Sequence, residues 1–366
     1  MNSLRLLTSI AILGCLVVSG CMKGEEGPAV VDPATIGDQQ PETLRASALG
    51  KFSTLPLVQE GRQRTVTEAK ITLGRQLFFE RRLSKNHDLS CNSCHDLAQY
   101  GVDRRTPAAK LSLGHRNQVG TRNTPTVYNA ARQVAQFWDG RAVDVEAQAQ
   151  GPIINPVEMA MLNAAAVVAV LKSIPGYLPL FKAAFPSARD PITYENLGLA
   201  IGAFERKLVT QDRFDLYLEG DMTALTPGEV RGLYVFMDAG CPSCHDGAGM
   251  GGDAFKKLGS AMTYTTNDVG RFSVTKDEED RFVFKVPTLR NVAMTAPYLH
   301  DGSQATLQDV IRLMMKYQTI AGTRPEEDIA AVEMFLGALT GELPTAYIQP
   351  PAELPGSATT PRPDPK

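Results

Sequence analysis

Net charge is almost absent from this chain: 37 basic residues against 40 acidic ones leave −3 at neutral pH. Nucleic-acid binding asks for a strongly basic surface, so that class of function is excluded. Long hydrophobic runs are missing too. The one sustained stretch, Leu6 to Val18, is too short to span a bilayer as a mature helix. Tryptophan occurs once, at Trp138, and a lone tryptophan is usually buried for packing. Cysteine is sparse, with six in 366 residues, and none is left for a disulfide once the motifs below are counted.

Residues 1–20 have the form of an export signal: a positive start at Arg5, then the apolar run. The run ends in Val18-Ser19-Gly20-Cys21, which resembles the bacterial lipobox. Cys21 would then be lipidated and become the new N-terminus, placing the protein in the periplasm on a lipid anchor. Cys15 leaves with the signal. Residues 21–60 are rich in Gly, Pro, Glu and Gln and are expected to form a flexible tether; residues 344–366 are proline-rich and expected to be irregular.

Between them one pentapeptide pattern occurs twice, as Cys91-Asn92-Ser93-Cys94-His95 and Cys241-Pro242-Ser243-Cys244-His245. Cys-x-x-Cys-His is the attachment signature of c-type haem. Cys91, Cys94, Cys241 and Cys244 would form thioethers to two haems, with His95 and His245 as the proximal iron ligands. Each copy follows an amphipathic stretch. Thr226-Pro227-Gly228-Glu229 supplies an N-cap, a proline at the first helical position and a capping-box glutamate. Val230, Leu233, Phe236 and Met237 then recur at helical spacing up to Cys241. Ala69 to Phe79 plays the same part before Cys91. Thr306 to Tyr317 and Pro325 to Leu339 read as two further helices, the second closed by Gly341. The fold class expected is mainly α: an internally duplicated cytochrome c-type unit, with domains at 61–220 and 221–343, each holding one covalent haem, joined by long loops.

A haem iron with one protein ligand can bind small molecules, whereas a soft second ligand closes the site. Met250, Met262, Met294, Met314 and Met315 all follow His245. After His95 no methionine occurs until Met159, but His115 stands in a glycine-flanked loop. The second haem can therefore be closed by methionine. The first can be closed by a loop imidazole, or left open when that loop moves.

Longer strings carry a resemblance. They are Gly114-His115, Arg122-Asn123-Thr124-Pro125-Thr126, Phe137-Trp138-Asp139-Gly140-Arg141, Glu158-Met159, Phe284-Lys285-Val286-Pro287-Thr288-Leu289-Arg290-Asn291-Val292 and Thr295-Ala296-Pro297-Tyr298-Leu299-His300-Asp301-Gly302. From about Lys70 to Gly341 the chain resembles the bacterial di-haem cytochrome c peroxidases. The resemblance implies a high-potential electron-entry haem ligated by His245 and Met314, with Met315 as fallback. It implies a peroxide site at the first haem, with His115 as the distal histidine and Glu158 as the distal carboxylate. It also implies Trp138 between the haems, a calcium ion held by the Asn123 side chain and the Thr295 and Pro297 carbonyls, and a propionate contact from His300. His87 receives no role and is expected to be exposed.

The function so implied is reduction of hydrogen peroxide to water by two electrons from a small donor: a cytochrome c, a cupredoxin or a membrane-bound cytochrome. A homodimer is a further possibility the family offers. Two rivals stand beside it. One is a di-haem oxidase that matures a protein-derived cofactor; it resembles this chain but has tyrosine in place of the distal methionine. The other is an electron carrier or redox sensor without turnover, which needs no Glu158.

Overall fold

The computed structural model describes residues 41–58, 65–105 and 110–356. The export signal, Cys21 and residues 22–40 of the expected tether lie outside the described residues. Helices dominate, as expected: α1 (Pro41–Leu49), α2 (Glu68–Phe78), the single turn α3 (Cys91–Cys94), α4 (Val145–Ile154), α5 (Ala164–Lys172), α6 (Tyr177–Ala184) and α7 (Tyr194–Glu205). There follow α8 (Arg213–Glu219), α9 (Pro227–Asp238), the short α10 (Phe272–Thr275), α11 (Leu307–Gln318) and α12 (Glu326–Ala338). The sheet is minimal: β1 (Phe255–Lys257) pairs antiparallel with β2 (Val283–Lys285), Phe255 opposite Lys285. No single helix among the described residues is long and apolar enough to cross a membrane.

The helix starts follow from their caps. Thr226 and Glu229 form the capping box of α9, with Pro227 in its first turn. Thr67, Thr193 and Thr306 accept from backbone N–H groups at the starts of α2, α7 and α11. Gly341 does not cap α12, whose C-cap is Leu339. Its N–H donates to Asn291 Oδ1 at 3.0 Å, and a Cβ there would lie 2.5 Å from the Gln211 carbonyl oxygen.

Two apolar cores form. The first takes residues from α2 and α4 to α7, the second from α8, α9, α11 and α12. Each is built on one close helix crossing where only glycine fits. A Cβ at Gly74 of α2 would lie 1.9 Å from Ala200 O of α7; one at Gly232 of α9 would lie 1.9 Å from Ala331 O of α12. In both crossings a phenylalanine one turn further on, Phe204 or Phe335, closes over the glycine.

The duplication extends into the loops. Pro125-Thr126-x-x-Asn129 recurs as Pro287-Thr288-x-x-Asn291. Asn129 and Asn291 are both left-handed, with φ of 58° and 62°. Their amides converge on one buried hydroxyl, Thr210 Oγ1, at 3.0 and 2.8 Å. The loops Phe137-Trp138-Asp139-Gly140 and Leu299-His300-Asp301-Gly302 repeat in the same register, with φ of 67° at Phe137 and 68° at Leu299. Each loop is bonded by the other half: Lys285 N–H donates to the Trp138 carbonyl and Asn123 N–H to the His300 carbonyl, both at 2.8 Å.

The chain ends cross over between the two cores. Part of the stretch expected to be tether is packed: Leu44, Ala48 and Phe52 are buried in the second core. Leu55 is buried as well, its N–H bonded to Asp215 Oδ1 at 3.1 Å. At the other end residues 344–356 are irregular but seated, and the rest of the expected tail, 357–366, lies outside the described residues. Ile348 is buried in the first core, Tyr347 stacks on Phe204 with centroids 5.1 Å apart, and Pro355 O accepts from Arg82 at 2.6 Å. Polar composition at the ends masked a few apolar anchors, and those decided the packing. The second core also includes Phe214, Tyr217 and Leu218 of α8, which lie before the expected boundary at 221.

Candidate haem and peroxide site

The two Cys-x-x-Cys-His turns are alike in detail. His95 N–H bonds Cys91 O at 2.9 Å and His245 N–H bonds Cys241 O at 3.0 Å. His95 Nδ1 lies 3.2 Å from Gly101 O, and His245 Nδ1 lies 3.3 Å from Met250 O. With Nδ1 held by a carbonyl, Nε2 is the lone-pair nitrogen, the tautomer an iron ligand needs. Burial lowers the proton affinity of both imidazoles, His245 down to about 4. They are neutral and ready to ligate.

The four cysteines are unpaired. Burial pushes the Cys94 thiol up to about 11 and the Cys241 thiol up to about 12, so neither is an activated thiolate of the kind a redox dithiol uses. A cleft beside Cys241, Cys244 and His245 encloses about 1680 Å³ of atom-free space, its open mouth included. Its walls are largely apolar, and Met314 and Met315 of α11 both border it. Met315 is 2% exposed and locked into the second core, whereas Met314 is only partly buried. The two cysteines, the Nδ1-anchored histidine, the apolar walls and the methionine suit a thioether-bound haem.

Around the first turn, His115 is buried and its N–H donates to the Glu158 carbonyl at 2.7 Å. Gly114 permits this approach, because a Cβ there would stand 2.0 Å from Val157 O. Arg116 and Asn117, next in the loop, both have positive φ. The Glu158 carboxyl is half-buried, and burial raises its proton affinity, with Arg141 and the Asn155 hydrogen bond opposing. Asn155 was not legible as a site residue. Its Oδ1 accepts from Val157 N–H at 3.1 Å, which fixes the amide, and its Nδ2 donates to Glu158 Oε1 at 2.8 Å. The only signal in the sequence is its place three residues before Glu158, at the end of α4.

Trp138 is half-buried and borders the second cleft. Its Nε1–H donates to Asn123 O at 2.9 Å, and its ring meets His300 edge-to-face with centroids 6.4 Å apart. His300 also stacks on Phe284 at 4.2 Å, and its Nε2 lies 3.3 Å from Thr266 Oγ1. Beside it runs an ionic chain absent from the expected set: Arg122 bridges Asp268 at 2.7 Å and Asp139 at 2.6 Å. Asn123 Nδ2 lies 2.6 Å from Pro297 O and 3.3 Å from Leu299 O. Two carbonyl oxygens converging on one amide suit a hard cation once the amide is turned to present its oxygen. Thr295 borders the same cleft. Among the described residues no group of three or more His, Cys, Asp or Glu could hold a metal ion. His87, expected to be exposed, is half-buried with φ 56°.

The chain belongs to the di-haem cytochrome c peroxidase family and is an enzyme of that class. The family model for di-haem cytochrome c peroxidase matches residues 68–223. The chain is similar to the cytochrome c551 peroxidase of Pseudomonas aeruginosa, 42% identical over 331 residues that cover 88% of this chain and 93% of the relative. It is similar to the cytochrome c551 peroxidase of Nitrosomonas europaea, 43% identical over 80% of this chain and 86% of the relative. It also superposes on the crystal structure of a MauG-like protein associated with microbial copper homeostasis. There the TM-score is 0.71 and the identity 28%, over 82% of this chain and 97% of that one.

Proposed function

We propose that the protein reduces hydrogen peroxide to water in the periplasm, taking two electrons from a small redox partner, with Cys21 anchoring it to a membrane. The observation that carries this is the join between His115 and Glu158. One backbone hydrogen bond of 2.7 Å ties the candidate distal imidazole to the candidate proton-handling carboxylate. Two haems, bound at Cys91/Cys94/His95 and at Cys241/Cys244/His245, would supply the redox chemistry and the peroxide-binding iron.

Glu158 does the work asked of a general acid–base group. Splitting peroxide needs a proton taken from one oxygen and given to the other, and a positioned carboxylate with raised proton affinity serves both steps. Asn155 holds one carboxylate oxygen, which leaves the other to face the substrate. Met314 would cap the second centre, and its sulfur is what separates this reading from the cofactor-maturing oxidase, which has tyrosine there. Trp138 and His300 fill the space bordering the second cleft, where the two halves meet. The Asn123, Thr295 and Pro297 oxygens would hold calcium across that junction.

The test is steady-state oxidation of reduced cytochrome c by peroxide, using the holoprotein. Turnover in the native protein that is lost in Glu158→Gln supports the proposal. Absence of turnover in both oxidised and half-reduced native protein would favour the electron-carrier alternative.

A further inference from the structure

We propose that Lys285 is a built-in cation of the second cleft, placed there to pair with a carboxylate of the cofactor, a haem propionate. This deepens the assignment of that cleft to the second haem and rests on it.

Lys285 ends β2 and is 6% exposed, yet it borders the cleft that holds His245, Met314 and Trp138. Its Nζ donates to the neutral amide oxygen Gln133 Oε1. Among the described residues no carboxylate forms an ion pair with it. Buried ammonium groups are ordinarily paired, because an amide oxygen repays little of the cost of leaving water. Burial alone pushes this one down to about 7, a penalty that an incoming carboxylate would reverse. His300 is less suited to that task. Its Nε2 already has the Thr266 hydroxyl at 3.3 Å, and Asp268 Oδ2 lies 4.0 Å away, where a second anion would be repelled.

The internal duplication singles out the same residue. Lys285 matches Asn123, and Gln133 matches Thr295, in the register that pairs Trp138 with His300. The two main chains do the same job, each donating at 2.8 Å to the loop of the other half. The side chains have diverged. Asn123 is short and neutral and meets two carbonyls, whereas Lys285 carries its own positive charge to the cleft wall. The halves thus differ in charge at a matched position that borders both the junction and the cleft.

Removing a positive charge beside a haem favours the ferric state, which lowers the midpoint potential. The experiment uses holoprotein of Lys285→Met and Lys285→Arg. It reads the midpoint potential of the methionine-ligated haem and the propionate bending band in the resonance Raman spectrum. The expected result is a lower potential and a moved band in Lys285→Met, with both kept near the native values in Lys285→Arg. If Lys285→Met fails to accumulate, Lys285→Gln is measured in its place. An unchanged potential and band in the neutral variant, with two haems bound, overturns the proposal. Native protein that binds one haem per chain by pyridine haemochromogen assay would instead overturn the assignment of the cleft.

Discussion

Trp138 and His300 stand at matching places in the two halves of the chain and meet edge to face, ring centroids 6.4 Å apart. Each carbonyl is bonded by the opposite half, from Lys285 and from Asn123, at 2.8 Å. The main chain under each ring is therefore held by the opposite half, while the Trp138 ring is held by its Nε1–H bond to Asn123 O and the His300 ring by its stack on Phe284.

Trp138→Phe keeps an aromatic ring at this junction but removes the Nε1–H bond to Asn123 O. Leaving that carbonyl without its donor should cost on the order of 1 kcal/mol of stability. Rapid mixing of the fully reduced holoprotein with peroxide should show slower oxidation of the second haem than in the native protein, with unchanged static spectra. Equal rates would reduce Trp138 to packing.

Glu158→Gln should lower kcat by roughly 10²–10⁴-fold, the usual worth of a positioned acid–base group, while both haems stay bound. Asn155→Leu should act through the same carboxylate. Its loss removes a hydrogen bond that favours the charged form, so the proton affinity of Glu158, already raised by burial, rises further. If the deprotonated carboxylate is the active form, the acidic limb of the kcat/KM profile moves to higher pH. A limb that stays in place in Asn155→Leu would remove Asn155 from the mechanism.

Gly74→Ala and Gly232→Ala should each be strongly destabilising, because the added carbon would lie 1.9 Å from a carbonyl oxygen of the facing helix. Overpacking of this kind costs about 1–3 kcal/mol or more. Thermal unfolding of the two variants checks it. The matched geometry predicts similar penalties in both halves, and a large effect at only one glycine would show that the crossings are not equivalent.

Glu205 closes α7 in the first core, and burial together with the neighbouring Glu146 pushes its carboxyl up to about 8, Arg206 opposing. Its folded pKa is above the unfolded value, so the folded state holds the proton longer. Stability is then greatest below the ordinary carboxylate range and falls as pH climbs from there to about 8. Glu205→Gln should flatten that fall. Unfolding midpoints at pH 5 and pH 8.5 for both proteins decide it, and parallel curves would reject Glu205 as the source.

Much of this was legible in the sequence for identifiable reasons. The capping box at Thr226 and the helical spacing of Val230 and Leu233 placed α9, and the Cys-x-x-Cys-His strings marked two turns of matching geometry. The resemblance singles out His115 and Glu158, and the fold joins them by a hydrogen bond. What escaped depends on where side chains come to lie in the folded chain. Asn155 reads as an ordinary turn residue until Glu158 is seen above its amide. Lys285 reads as a surface lysine in a short strand until the cleft is drawn. Thr210 carries no motif at all, yet both repeats meet on its hydroxyl. The Pro-Thr-x-x-Asn repeat was visible in the letters and would have revealed how far the duplication runs.

The crossing of the chain ends has a consequence for biogenesis. A polypeptide made from its N-terminus presents Cys91 and His95 well before Tyr347 and Ile348 emerge to complete the surrounding wall. The helix at Pro41–Leu49 must in turn wait for α8 and α9, where Arg45 bonds the Tyr217 and Leu218 carbonyls, before it finds its seat. The wall around the first turn is thus completed only when the chain's far end is seated, and neither half closes without a segment from the other end of the chain.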